Sequence, residues 1–196
     1  MIEEEAKRIH DEATVLLAHV HMKRRYLPDR IEYDRVNENL GDRQVDIPKL
    51  KRGGVNIIWL SEGSPGEFAV DAEAMQRGAV EPNTRPALRI AFCGSSEAHR
   101  MLRGWDAMRR VCQTYPDELE QAKTVAEARK INDRGKIAVF FHTEALLIAN
   151  DPAVLRTYHG LGLRCSGLVH GAPLELIDSD LEQRDGLTRF GREIVR

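Results

Sequence analysis

The sequence has no Cys-x-x-Cys pair, no apolar run of membrane-spanning length and no surplus of either charge, and each lack closes off a class of protein. The three cysteines, Cys93, Cys112 and Cys165, are odd in number and widely spaced. That argues against a disulfide framework or a structural zinc knot and for reduced thiols, with Cys112 in the core. A formal net charge of −2 gives no electrostatic case for binding nucleic acid, so a cluster such as Lys23-Arg24-Arg25 reads as solvated surface. The start, Met1-Ile2-Glu3-Glu4-Glu5, is acidic where a secretory signal needs positive charge followed by an apolar stretch. These features predict a cytoplasmic protein with no membrane contact. Internal repeats and low-complexity segments are also lacking. What remains, 196 residues of ordinary composition, is enough for one sizeable core, and residues 1–196 read as a single domain.

Short apolar runs alternate with amphipathic stretches, the order expected of βα units. Strands are expected at Val15 to Val20, Val55 to Ser61, Ile137 to His142 and Leu163 to His170. Most are apolar on both faces, as strands of a covered parallel sheet must be. Helix signals lie between them. Thr124-x-x-Glu127 is a capping-box sequence ahead of Val125, Ala128 and Ile131, and Gly135 closes that helix. Asn150 or Asp151 can cap the next, with Pro152 in its first turn, Val154, Leu155, Tyr158 and Leu161 on its apolar face, and Gly162 at its end. A longer helix around Glu97 to Tyr115 carries Met101, Trp105, Met108, Cys112 and Tyr115 at helical spacing, a packing stripe. Residues 62–96, rich in Gly and Pro, read as a long excursion over the strand ends. Thr188 can cap a last helix bearing Phe190 and Ile194, within which the chain stops. The expected fold is α/β: a partial TIM-type (β/α) barrel of about four parallel strands with covering helices.

The polar residues at the strand ends carry the chemistry. His19-Val20-His21 closes the first strand, and alternate residues on a strand point to one side, so two imidazoles leave the strand end together. Paired neutral imidazoles are good ligands for zinc and similar borderline metals. Ser61 and Glu62, His142 and Glu144, and His170 fall at the ends of the other three strands, the rim where a βα barrel places its ligands. A plainer explanation exists: strands end where polarity begins. It accounts for Ser61 and Glu62, and less well for four histidines. His10, His99 and His159 read as helix-surface or packing residues.

Several stretches together resemble the membrane (renal) dipeptidases, amidohydrolase-like metal-dependent hydrolases. They are Asp46-Ile47-Pro48-Lys49-Leu50-Lys51-Arg52-Gly53-Gly54 running into Val55-Asn56-Ile57-Ile58-Trp59-Leu60-Ser61, then Gly135-Lys136-Ile137-Ala138-Val139 leading to a Glu. Val154-Leu155-Arg156-Thr157-Tyr158-His159, Gly162-Leu163-Arg164, Leu168-Val169-His170 and Gly186-Leu187-Thr188-x-Phe190-Gly191 follow in the family's order. The resemblance implies a barrel holding a pair of zinc ions bridged by a glutamate and a hydroxide that attacks a dipeptide carbonyl. It makes His19 the first-strand zinc ligand, with His21 beside it. Glu144 becomes the bridging carboxylate and a catalytic residue, and His170 the catalytic residue near the scissile carbonyl or its oxyanion. Aligning Glu144 requires a one-residue deletion, and a loop or helix-leading carboxylate is the alternative reading of it.

The sequence also departs from that pattern. The family's first motif is His-x-Asp, and His21 stands at the Asp position, removing one negative charge. Ala145-Leu146 replaces the Gly pair after the bridging Glu, and Gly171-Ala172-Pro173-Leu174 replaces an Asn-containing segment. By the same resemblance, two further zinc-binding histidines, a substrate-binding Arg and a catalytic Asp belong to later strands beyond this chain. The expectation is therefore the first half of a barrel, whose open edges would pair with a completing C-terminal half or with a second copy. The leading reading is a zinc-dependent dipeptidase-like hydrolase. An inactive scaffold or assembly subunit is the alternative, and a different amidohydrolase chemistry at the His-x-His site is a third.

Overall fold

In the computed structural model of the chain, residues 2–22, 25–26, 31–33, 35–39, 41, 44–61, 97–169, 176–179 and 182–196 are described. The excursion at 62–96, and His170 with its following segment, lie outside them. The chain divides into two compact units: Met1–Ser61, Asp106–His142 and Gly162–Cys165 form the first, and Glu62–Trp105, Thr143–Leu161 and Ser166–Arg196 the second.

The first unit is organised by a parallel sheet. Strands β1 (Val15–Val20), β4 (Val55–Ser61), β6 (Ile137–Thr143) and β5 (Leu119–Gln121) lie side by side in that order, and β7 (Leu163–Ser166) also pairs with β6. Pairing is parallel between β1 and β4, β4 and β6, and β5 and β6. Every residue of β6 is buried, which explains why Ile137 to Phe141 shows no polar alternation. β1 lies at the edge, and its Leu16 and Leu17 remain 41 % and 37 % exposed. A two-residue antiparallel rung, β2 (Arg25–Tyr26) with β3 (Ile31–Glu32), follows β1 in the chain.

Local chemistry sets the helices of this unit. Asp46, fully buried, caps α2 (Ile47–Arg52) by accepting the Lys49 amide at 2.8 Å and pairing with Lys49 Nζ at 2.5 Å. Gly54, at φ +63°, then turns the chain into β4. The Thr124 cap forms as expected, while the Glu127 side chain reaches back one residue further, to Lys123 instead of Thr124 itself. Thr124 Oγ1 accepts the Glu127 amide at 3.1 Å, and Glu127 accepts the Lys123 amide at 2.6 Å. The resulting α4 (Val125–Asn132) buries Ala128 and Ile131 with Ala122, Ala138 and Phe140, beside Ile57 and Trp59. Gly162, at φ +123°, opens β7 where a Cβ would collide with the Gln121 side chain.

α1 (Ile2–Glu12) was not anticipated from the sequence; it buries none of its residues. Its support is electrostatic: acids in the first turn suit the helix dipole, and Arg8 reaches Glu5 at 2.6 Å and Glu12 at 2.9 Å. α3 (Glu97–Thr114) buries Met101, Trp105, Met108 and Cys112 of the expected stripe, while Tyr115 lies just past the helix end and is half-buried.

In the second unit Trp105 meets Tyr158 edge to face at 4.2 Å, and Tyr158 Oη donates to the Leu147 carbonyl at 3.1 Å. α5 (Pro152–Leu161) is capped by Asp151, whose carboxylate accepts the Ala153 amide at 2.7 Å. The choice between Asn150 and Asp151 is thereby settled. β8 (Ile177–Ser179) pairs antiparallel with β9 (Glu182–Leu187), a hairpin absent from the sequence reading. Thr188 caps α6 (Arg189–Ile194) through the Gly191 amide at 2.9 Å, and the helix ends two residues before the last residue of the chain. The fourth expected strand is shorter than predicted: β7 ends at Ser166, four residues before His170.

Candidate metal centre at the strand ends

The sheet register decides which polar residues meet. β4 and β6 pair in step from Ile57↔Ala138 to Ser61↔His142, while Val20 of β1 sits opposite Leu60 of β4. Between Leu17 and Val20 the β1 register slips, a bulge that falls at Ala18 and His19. Such bulges bend a strand and re-aim a side chain at its end. His19, His21, Ser61 and His142 therefore gather at the same end of three neighbouring strands.

The three imidazoles form an edge-on cluster. Ring centroids of His19 and His21 lie 4.6 Å apart at 88°, and those of His19 and His142 lie 5.2 Å apart at 90°. His21 Nδ1 is 2.6 Å from the Ser61 carbonyl oxygen. A carbonyl only accepts, so the neutral ring carries its proton on Nδ1 and its lone pair on Nε2. Imidazoles that bind metals are commonly oriented in this way. His142 Nε2 lies 3.1 Å from His19 Nδ1, a bond in which one ring donates and the other accepts. His142 is 8 % exposed and packs near Trp59, with centroids 6.1 Å apart, whereas His19 is exposed and His21 half-buried. The Ser61 hydroxyl is buried and has no hydrogen-bond partner among the described residues.

The donor chemistry fits zinc: neutral imidazoles, one with its tautomer fixed by a carbonyl, at a strand end open to solvent through His19. Glu144, half-buried, follows the last residue of β6 and belongs to the second unit, where Gly167 approaches its carbonyl so closely that a Cβ would overlap it. The neighbouring Thr143 donates to the Ala145 carbonyl at 3.0 Å and accepts the Gly167 amide at 2.8 Å through its own carbonyl. The backbone leading into and out of Glu144 is thus held. His170 lies outside the described residues. Sequence reasoning placed His142 at the rim without a role and treated Ser61 as incidental; the β4–β6 register is what joins both to the histidine pair.

Among the described residues no helix is long and apolar enough to cross a membrane. Dipeptidase aclJ of Aspergillus oryzae is 28 % identical over 159 residues, covering 78 % of this chain and 33 % of its own length. Dipeptidase tcpJ of Claviceps purpurea is 32 % identical over 95 residues, 46 % of this chain and 22 % of its own. The chain thus spans a third or less of the curated relatives it matches. Among solved structures, the probable dipeptidase PvdM of Pseudomonas aeruginosa superposes with a TM-score of 0.70 at 16 % identity, over 99 % of this chain and 46 % of that one. A metallo peptidase from Rhodobacter sphaeroides, liganded with a phosphinate mimic of the dipeptide L-Ala-D-Ala, gives 0.52 at 20 % identity, over 93 % and 55 %. These likenesses establish an α/β fold whose parallel strands correspond to part of a (β/α) barrel. The family match runs over residues 3–196, and with it the chain belongs to the membrane dipeptidase family, peptidase family M19.

Proposed function

We propose that this chain is the metal-binding portion of a zinc-dependent dipeptidase-like hydrolase, with His19, His21 and Glu144 as ligands and Glu144 and His170 as catalytic residues. The observation that carries the reading is the His19–His21 pair, with His21 locked by the Ser61 carbonyl into the tautomer that presents Nε2. Membership of a dipeptidase family supplies the reaction class. Zinc at such residues lowers the pKa of a bound water and polarises a carbonyl. The chain's own part is to hold two neutral nitrogens and one carboxylate in place, and to set His170 beside the scissile carbonyl. The substrate is a dipeptide, the protein acts in the cytoplasm as one domain, and the rest of the site is completed by further strands or a second copy.

The test has two stages. Metal content is measured by mass spectrometry on size-fractionated parent and on a His19→Ala/His21→Ala double variant. Near-stoichiometric zinc that vanishes in the variant is expected, with far-UV circular dichroism unchanged. Unblocked dipeptides are then assayed with a C-terminal half of the family supplied. Zinc-dependent cleavage is expected, and its absence under saturating zinc would sink the hydrolase reading. One observation favours a second reading, an inactive scaffold: His21 stands where the family pattern has a carboxylate. A folded parent that takes up no zinc would select it.

A further inference from the structure

Two different strands hold the two imidazoles, and the residues that do so are register partners. Ser61 of β4 faces His142 of β6 across the sheet ladder. The Ser61 carbonyl takes His21 Nδ1 at 2.6 Å, and His142 Nε2 meets His19 Nδ1 at 3.1 Å. A single rung of the sheet therefore touches the Nδ1 atom of both candidate ligands. His142 has the marks of a fixed support: it is buried, it sits on a strand with every residue buried, and the Trp59 ring lies beside its own, tilted by 39° at 6.1 Å. His19, by contrast, is exposed and sits at a bulge of the edge strand.

We propose that His142 is the positioning residue of the metal centre: its Nε2 accepts the proton of His19 Nδ1, which places the His19 lone pair on Nε2 for the metal. The inference rests on the metal reading above, and the logic of the tautomers supports it. Were the proton instead on His142 Nε2, His19 Nδ1 would be consumed as acceptor and its Nε2 would carry hydrogen, leaving no lone pair to ligate. While the 3.1 Å bond stands, ligation through His19 Nε2 thus requires His142 to be the acceptor. Partners of this kind orient the ring and raise its basicity, and their loss typically lowers metal affinity by about 10–100-fold.

The experiment compares the parent with His142→Phe, which keeps a ring beside Trp59 and removes the acceptor, and with His142→Gln, whose side-chain oxygen can stand where Nε2 stood. Zinc affinity is measured by chelator competition, and the His19 tautomer in the metal-free protein is read from long-range proton–nitrogen NMR correlations. Expected results are an Nδ1–H form of His19 in the parent, a loss of about 10–100-fold in zinc affinity with mixed tautomers in the Phe variant, and recovery in the Gln variant. An Nε2–H His19 in the parent would overturn the proposal. So would unchanged zinc affinity in His142→Phe while His19→Ala abolishes binding, a result that spares the metal reading itself. A parent that binds no zinc would remove both.

Discussion

His19 and His21 are two residues apart, yet one is steadied by a backbone carbonyl and the other by a side chain that follows it by 123 positions. The difference matters for mutation, since a carbonyl cannot be substituted away and His142 can. His21 also sets the charge of the site. His21→Asp adds one negative charge and an oxygen donor, so preference should move from zinc and copper towards harder ions such as manganese. Competition binding of zinc against manganese in parent and variant reads the shift directly. Elsewhere, burial pushes the Cys112 thiol up to about 12 from an ordinary 9.0. Its folded-state value lies above its unfolded one, so its contribution is intact below pH 9 and is lost as pH rises towards 12. Stability should fall in that window by about 1.4 kcal/mol per pH unit from this group. Urea titrations of the parent and of Cys112→Ala check it, the slope with pH being shallower in the variant. The sequence disclosed the histidine pair because both members stand two residues apart at the end of one strand, His19 in β1 and His21 just beyond it. It could not disclose His142 as their neighbour, since any rim collects polar residues and only the register distinguishes a partner from a bystander.

At the level of elements, caps and apolar periods were readable because they are local. Thr124 as N-cap, Gly162 and the stripe from Met101 to Cys112 behave as their spacing predicts. Ile131→Ala should cost about 2–5 kcal/mol, because it empties a buried position against Ala138 and Phe140. Thr124→Ala should cost about 1 kcal/mol by removing one cap bond. Chemical denaturation of the two variants gives the ranking, and a Thr124 loss equal to that of Ile131 would contradict this account of α4. Elements held by other forces were not readable. α1 has no buried stripe to betray it, and β5 has only three residues, recognisable as a strand only once β6 lies alongside.

For the whole molecule, the parallel order was legible from strands apolar on both faces, and the family from fragments scattered along nearly the whole chain. The edge position of β1 was legible only as a general expectation for outer strands. Its consequence for this chain taken by itself is specific: Leu16→Lys and Leu17→Lys should change stability by no more than about 0.5 kcal/mol each, since both side chains are partly exposed. Ile58→Ala, on the neighbouring strand and fully buried, should cost about 2–5 kcal/mol. Thermal unfolding of the three variants tests the contrast.

The imidazole cluster is therefore anchored to two supports of unequal endurance. His142 stands on a strand paired with β4, β5 and β7, which can come apart only when the sheet does. His19 stands on a strand whose one described strand neighbour is β4. In this chain taken by itself, fraying from that margin is the cheaper opening, so the cluster comes undone from the His19 side first. An ion seated there would depart on the clock of the outermost strand, long before the fold as a whole lets go.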